Sequence, residues 1–398
     1  MGTQFQNAFS DNALKQLIIL VLLGSAAASA GDAEQDALVS LVTAVFSAPF
    51  ILFAMLGGWM ADRYSKQSVM IGVKLAEVFI MAFAAVALAS GSLVMKLVAI
   101  FLMGCHSAIF APSKYGILPE ILPHEKLSWG NGILELLTFL GVIFGTVAAG
   151  YFADTFKGQE WVVGPILMGI ALVGWVLSRQ ITPVPAADPA CPMRINPVTD
   201  LWKQLRIMQA DRDLWRACWG NTGFYFISAL VMMNVVVFGK NTLHLSGLEN
   251  SMLNVWLALG IGIGSVVAGY ASRGRIEYRL VPLGALGLAL STIPMGMEGV
   301  TADTFRICMA TLGFSAGLFI VPVVSVIQHR PSPESKGAVQ GSVSSLSFLG
   351  IMAAAGVQWI AREAFHISSA QVFWVCGASA IICGAYAAIS RGRFIEVE

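Results

Sequence analysis

The sequence predicts an all-α membrane protein with twelve transmembrane helices in two six-helix bundles, and three observations carry that reading. Hydrophobic residues make up 57% of the 398 and charged residues only 12%, with a mean hydropathy of +0.74. A soluble domain carries about a quarter charged residues, and a chain this poor in charge could not coat a water-facing surface. Apolar runs of about 20 residues, enough to cross a bilayer as a helix, recur along the chain. The basic residues between them alternate in density from loop to loop, as spans that reverse direction require.

The runs cover residues 4–29, 37–60, 68–90, 94–113, 128–154, 161–179, 218–239, 251–271, 279–297, 304–327, 338–361 and 370–389. One set of loops holds Arg63, Lys66, Lys114, Lys126, Arg179, Arg194, Lys203, Arg206, Arg212, Arg216, Arg273, Arg275, Arg279, Arg330 and Lys336, then Arg391 and Arg393 in the tail. The opposite loops hold little beyond Lys96, Lys157, Lys240, Arg306 and Arg362. The first set, with both termini, is expected on the cytoplasmic side. A missed span would scramble this alternation. The 40 glycines suit helices that pack closely inside lipid.

One connection is long. Pro183, Pro185, Pro189, Pro192 and Pro197 mark an extended linker. Beyond it, Val198 to Trp215 sets Leu201, Trp202, Leu205, Met208, Leu214 and Trp215 against Lys203, Arg206 and Arg212. Two readings stay open for this stretch: an amphipathic helix on the inner membrane face, or a solvated linker. The expected division is residues 1–180, a linker at 181–217, and residues 218–398.

Several function classes recede at once. A net charge of +1 gives no field for nucleic acid. Cys105, Cys191, Cys218, Cys308, Cys376 and Cys383 form no CxxC pair and read as small hydrophobes. No HExxH motif appears, and no His is followed five positions later by Asp. His329 with Glu334 has that spacing but the wrong acid. Neither an enzymatic role nor a cofactor or metal is expected. Ala28-Ser29-Ala30 looks like a signal-peptide cleavage site, but Asp11, Asn12, Lys15 and Gln16 precede the apolar run and another span follows closely. A retained first span is expected, and its abrupt start near Gln4 leaves an upstream extension open.

After the second span the chain reads Gly57-Gly58-Trp59-Met60-Ala61-Asp62-Arg63-Tyr64-Ser65-Lys66. This resembles the cytoplasmic G-x-x-x-D-R-x-G-R/K-R/K motif of the major facilitator superfamily, with Ser65 for the glycine and Gln67 for the last basic residue. Two equal bundles joined by a cytoplasmic linker describe the same architecture, whose cavity lies near the midplane between halves. The resemblance implies a gating role for Gly58, Asp62, Arg63 and Lys66. Gly58 would allow close helix approach, and Asp62 would cap a helix or pair with a basic residue in one state only. The matching loop Gly269 to Arg275 keeps the basic residues and lacks the Asp. In the fifth span, Gly141 to Gly150 resembles the drug-antiporter motif G-x-x-x-G-P-x-x-G-G, with Thr146 in place of the proline. That counts against a drug antiporter.

Ionisable and amide residues at bilayer depth are costly unless they face a cavity or a partner. They cluster in the first half: Asp11, Asn12, Lys15, Lys74, Glu77, His106, Asn131 and Glu135. The second half offers Asn221, Asn234, Asn254 and Gln340. Asp11 with Lys15 and Lys74 with Glu77 have the spacings of intrahelical pairs, which would neutralise them. Lys74 could alternatively snorkel or meet Asp11 across two helices. His106 reads either as a packing residue or as a proton carrier.

Asn7 to Leu14 is similar to the first-span motif of bacterial lysophospholipid transporters, a branch of that superfamily. So is Ala111-Pro112-Ser113-Lys114-Tyr115-Gly116-Ile117-Leu118-Pro119-Glu120, read as a loop after the fourth span. Lys126-Leu127, Asn131-Gly132, Glu135, Gly145, Ala149-Gly150, Ala153-Asp154, Val73-Lys74-Leu75 and Phe319 to Pro322 follow the same register. The match is specific around 111–154 and thin in the second half.

The resemblance implies a flippase that carries lysophosphatidylethanolamine-type lipids across the bacterial inner membrane to the cytoplasmic leaflet. A cytoplasmic acyltransferase/acyl-carrier-protein synthetase, as partner or as a domain fused after Arg391–Glu398, would re-acylate them. Asp11, Asn12, Lys74, Lys114, Tyr115, Asn131 and Glu135 become the expected substrate contacts: a carboxylate for the ammonium, a cation for the phosphate, an apolar wall for the chain. Lys114 and Tyr115 could instead brace the end of the fourth span. A sugar carrier would want more neutral hydrogen-bonding groups on both halves. Lys15 stands where the family is expected to be apolar, and the seventh span offers Asn234, and Lys240 only at its end, instead of a buried basic residue. Proton coupling, sodium coupling, and a flip drawn onward by re-acylation alone all stay open. So do transport of another amphipathic or organic molecule and, behind both, a membrane lipid enzyme.

Overall fold

The computed structural model describes residues 1–26, 32–193, 196–245 and 247–388. The Ala28-Ser29-Ala30 stretch, Arg194 and the tail from Arg391 to Glu398 lie outside the described residues, as do the side chains of Lys240 and Arg362.

Among the described residues every regular element is a helix. The helices are α1 (Gly2–Ala26), α2 (Asp32–Arg63), α3 (Lys66–Ala89), α4 (Leu93–Ile121), α5 (Leu127–Thr155), α6 (Val163–Ser178), α7 (Pro197–Met208), α8 (Arg212–Asn241), α9 (Gly247–Ala271), α10 (Leu280–Met295), α11 (Ala302–His329), α12 (Lys336–Glu363) and α13 (Ser369–Ala388). Among the described residues ten helices are long and apolar enough to cross a membrane. The polar-studded α1, with 25 residues, and the shorter apolar α10 complete the expected twelve.

Two boundaries differ from expectation. The stretch Ala111–Glu120, expected as a loop, is the last part of α4, which continues through Pro112 and Pro119 to Ile121. Each proline forfeits one backbone hydrogen bond and is tolerated where neighbouring helices re-satisfy the carbonyl. The amphipathic pattern from Val198 to Trp215 is two helices, not one. α7 ends at Met208, and Asp211 caps α8 by accepting from Asp213 N at 3.0 Å and Leu214 N at 3.1 Å. An Asp at an N-cap satisfies amides that have no intrahelical partner, so the chain restarts there.

Packing divides the chain into two compact units. The first comprises Met1–Ile117, Leu140–Gln204 and Ser332–Ser345. Its core joins Leu14, Leu17 and Ile18 of α1 to Met81 and Ala84 of α3, Ile100 and Met103 of α4, and Leu167 and Ala171 of α6. Backbones approach closely where side chains vanish: a Cβ on Gly145 of α5 would strike the Phe9 carbonyl of α1.

The second unit comprises Leu118–Phe139, Leu205–Pro331 and Leu346–Glu398. α11 is its central helix, packing on α8, α9 and α10, while α13 packs on α8 and α10. Phe238 stacks on Phe305, and Phe373 meets both edge-on, with ring centroids 5.2 to 5.6 Å apart. The two units do not follow the sequence halves. The first part of α5 packs with second-half helices, and the first part of α12 with first-half helices.

Candidate functional site

Inside the first unit, polar side chains of α1, α3 and α4 close into a ring. Gln6, Asn7, Ser10 and Asp11 recur at the spacing of one helical face on α1. Lys74 and Glu77 of α3 are fully buried, and the Lys74 ammonium donates to Glu77 Oε2 at 2.6 Å and to Asn7 Oδ1 at 2.7 Å. It also lies over the Phe110 ring, 4.9 Å from the centroid. Gln6 Nε2 donates to Glu77 Oε1 and to Ser10 Oγ, each at 2.8 Å. His106 of α4 places Nε2 3.4 Å from Glu77 Oε2, within ion-pair reach without a formed hydrogen bond. Its Nδ1 is 3.4 Å from Ser107 Oγ. Ser107 Oγ donates to Asp11, 2.7 Å from each carboxylate oxygen, and Asn7 Nδ2 donates to Asp11 Oδ2 at 3.0 Å.

Asn7 therefore mediates between Lys74 and Asp11, which do not pair directly. Lys74 is spent on its own helix neighbour, the self-neutralising arrangement, and neither snorkels nor pairs with Asp11. Asp11 is partly exposed, whereas Glu77 and Lys74 are sealed. Two carboxylates in one cluster thus differ: Glu77 is compensated by Lys74, while Asp11 is hydrogen-bonded by neutral donors and is part-buried.

The other expected contacts fall elsewhere. Asn12 turns its amide back to the Ala8 carbonyl at 2.8 Å. Lys114 and Tyr115 sit within α4, the ammonium 4.0 Å from the ring centroid, outside the α1–α3–α4 ring. Asn131 belongs to the second unit and is locked with Gln328 of α11. Each amide donates to the other at 2.9 Å, and Asn131 also donates to Ser325 at 3.0 Å. Glu135 is buried in the same unit and interacts electrostatically with Tyr225 of α8.

The loop motif has a defined geometry within the first unit. Asp62 is fully buried and caps α12, its Oδ1 accepting from Gly337 N at 2.6 Å and its Oδ2 from Ala338 N at 2.8 Å. Gly58 lies against Gly337, where any Cβ would strike that carbonyl. Arg63 Nη1 donates to the Cys191 carbonyl at 2.7 Å, and Trp59 Nε1 donates to the same oxygen at 3.2 Å. Lys66 is fully buried with its stem against Gly116.

Sequence reasoning passed over Gln6 and Ser107, and took Asn7 only as the start of the first-span motif, without a role in the site. The face shared by Gln6, Asn7, Ser10 and Asp11 was the available signal on α1. Ser107 had only its place beside His106.

The profile of the Major Facilitator Superfamily matches residues 4–355. The chain belongs to this superfamily. It is a multi-pass membrane transporter of that type and not an enzyme. Among its curated relatives, Lysophospholipid transporter LplT of Klebsiella pneumoniae is 28% identical over 401 residues, covering 96% of this chain and 94% of the relative. The protein of the same name from Serratia proteamaculans is 27% identical, covering 82% and 78%. Among solved structures, the human organic anion transporter MFSD10 (TETRAN) superposes with a TM-score of 0.78 at 16% identity, covering 97% of this chain and 98% of that one. A bacterial homologue of the iron transporter ferroportin, in an outward-facing state, gives 0.73 at 13% identity over 98% of each chain. These structures share the fold.

Proposed function

We propose that this superfamily member is a lysophospholipid transporter that carries lysophosphatidylethanolamine-type lipids to the cytoplasmic leaflet of the bacterial inner membrane by alternating access. Similarity over most of their length to proteins named as lysophospholipid transporters supports the substrate class. The observation that carries the reading is Asp11: a partly exposed carboxylate in the middle of a membrane helix, held by Ser107 and Asn7 rather than by a cation. A carboxylate at that depth is costly unless it serves a cavity or a ligand, and an ammonium headgroup is such a ligand.

Lys74, Asn7 and Glu77 act behind Asp11, fixing its position. Glu135, Asn12, Lys114 and Tyr115 are further candidate substrate contacts, each within its own unit, while Asn131 is committed to Gln328. Asp62 and Gly58 latch α2 to α12 in one state, with Arg63 and Lys66 anchoring the motif. The functional division follows residues 1–180, 181–217 and 218–398, with both termini cytoplasmic. Re-acylation by a cytoplasmic acyltransferase/acyl-carrier-protein synthetase removes the product and draws the flip forward, and Asp11 is the residue at which a proton or sodium would couple.

Uptake of radiolabelled lysophosphatidylethanolamine by spheroplasts tests this, with Asp11→Asn beside the wild type, and loss of uptake in the variant with expression retained is the expected result. Wild-type spheroplasts that accumulate no more lipid than cells lacking the protein would refute the substrate assignment.

A further inference from the structure

Two opposite charges on α1 stand one turn apart and do not close on each other. Asp11 and Lys15 share a helix face, with Cβ atoms on the order of 5–6 Å apart. Both are partly exposed. Asp11 is held by the neutral donors Ser107 and Asn7, at 2.7 and 3.0 Å. The Lys15 ammonium lies over the Phe46 ring of α2, 5.1 Å from its centroid. Among the described residues neither side chain is in an ion pair, whereas Lys74 and Glu77 neutralise each other at 2.6 Å behind them.

An unpaired ammonium at bilayer depth is as costly as an unpaired carboxylate. Left alone, two such groups one turn apart would gain by approaching. Here Ser107 and Asn7 hold one and an aromatic face holds the other. Resting on the lysophospholipid reading, we propose that Asp11 and Lys15 together bind a zwitterionic headgroup, Asp11 taking its ammonium and Lys15 its phosphate.

The headgroup of an ethanolamine lysolipid separates those charges by a two-carbon link, a span comparable to one turn of helix. Lys74 is the poorer phosphate ligand. It is sealed, its donors already go to Asn7 and Glu77, and a phosphate could reach it only by breaking the buried pair. Removing one partner of such a pair leaves the other charge uncompensated. Lys15 carries no such obligation.

The purified full chain, titrated with lysophosphatidylethanolamine and with lysophosphatidylglycerol, tests the assignment as wild type, Lys15→Met and Lys15→Arg. Lys15→Met should weaken both lipids about tenfold or more, the size of one lost charge-assisted contact. The glycerol lipid, which has no ammonium for Asp11, should lose more. Lys15→Arg should stay within about threefold of wild type, because a guanidinium also binds phosphate. If Lys15→Met does not fold, Lys15→Gln carries the same expectation. Wild-type affinity in the neutral variant, or an Arg variant no better than the neutral one, overturns the headgroup assignment alone. A wild-type chain that binds neither lipid overturns the lysophospholipid reading and this inference with it.

Discussion

Ser107 on α4 donates its hydroxyl to Asp11 on α1, with Oγ 2.7 Å from both carboxylate oxygens. That contact fixes a charged group across two helices without neutralising it. Ser107→Ala should therefore leave the chain folded and slow lysophosphatidylethanolamine transport by about tenfold, the usual effect of losing one hydrogen bond to a charged group. Initial uptake rates at matched protein density check this, and an unchanged rate would show that Asp11 does not depend on α4 for its position.

Lys74 and Glu77 form a sealed pair whose separate members are liabilities. Lys74→Met should destabilise by about 3–5 kcal/mol because Glu77 is left buried without its cation. The double variant Lys74→Met/Glu77→Leu should recover much of that loss. Thermal melting in detergent compares the three chains. A double variant less stable than the single would mean that Gln6, Asn7 and His106 need the pair's charges to hold the ring together.

Asp62 caps the N-terminus of α12 with both carboxylate oxygens, and a charged cap at a helix start is worth about 1–2 kcal/mol. Asp62→Ala should shift the population with this contact broken upward by about five- to thirtyfold. Gly58→Val should act in the same direction by a different route, because its side chain would meet the Gly337 carbonyl. Labelling of a cysteine placed at Ala338 by a membrane-impermeant thiol reagent from the cytoplasmic side should accelerate in both backgrounds. Equal labelling in all three would mean that the contact does not open during the cycle.

Asn131 and Gln328 exchange hydrogen bonds reciprocally while almost fully buried. Either single change to Leu strands the partner amide, at a cost of about 1–3 kcal/mol. Asn131→Leu/Gln328→Leu should be closer to wild type than either single variant. A melting series resolves this, and additive losses would remove the reciprocal pair as the cause.

The fold was readable because bilayer thickness imposes one length on every span and loop charge imposes alternation. The end of α9 at Ala271 falls where the apolar run ends, and α5 starts at Leu127, one residue before its run. The α4 extension was hidden by Pro112 and Pro119, which break helices in water but are tolerated where neighbouring helices surround them. The split between α7 and α8 depends on one side-chain cap at Asp211, a local contact that a periodic pattern cannot display. Within the site, Asp11 stood out because charge at bilayer depth is rare. Its partners did not: Asn7 and Ser107 are ordinary polar residues until α1 and α4 are brought together. Asn131 drew attention for the same reason as Asp11, yet its chemistry is used up by Gln328, a partner 197 positions away.

If Asp11 receives the lipid headgroup, removing its charge must stop the flip. Proteoliposomes holding purified protein, with fluorescent lysophosphatidylethanolamine added outside and its arrival in the inner leaflet followed by extraction-resistant fluorescence, measure this. Protein-dependent flipping by the wild type and a loss of at least about tenfold in Asp11→Asn are expected. Flipping by Asp11→Asn at the wild-type rate would remove Asp11 as the headgroup ligand.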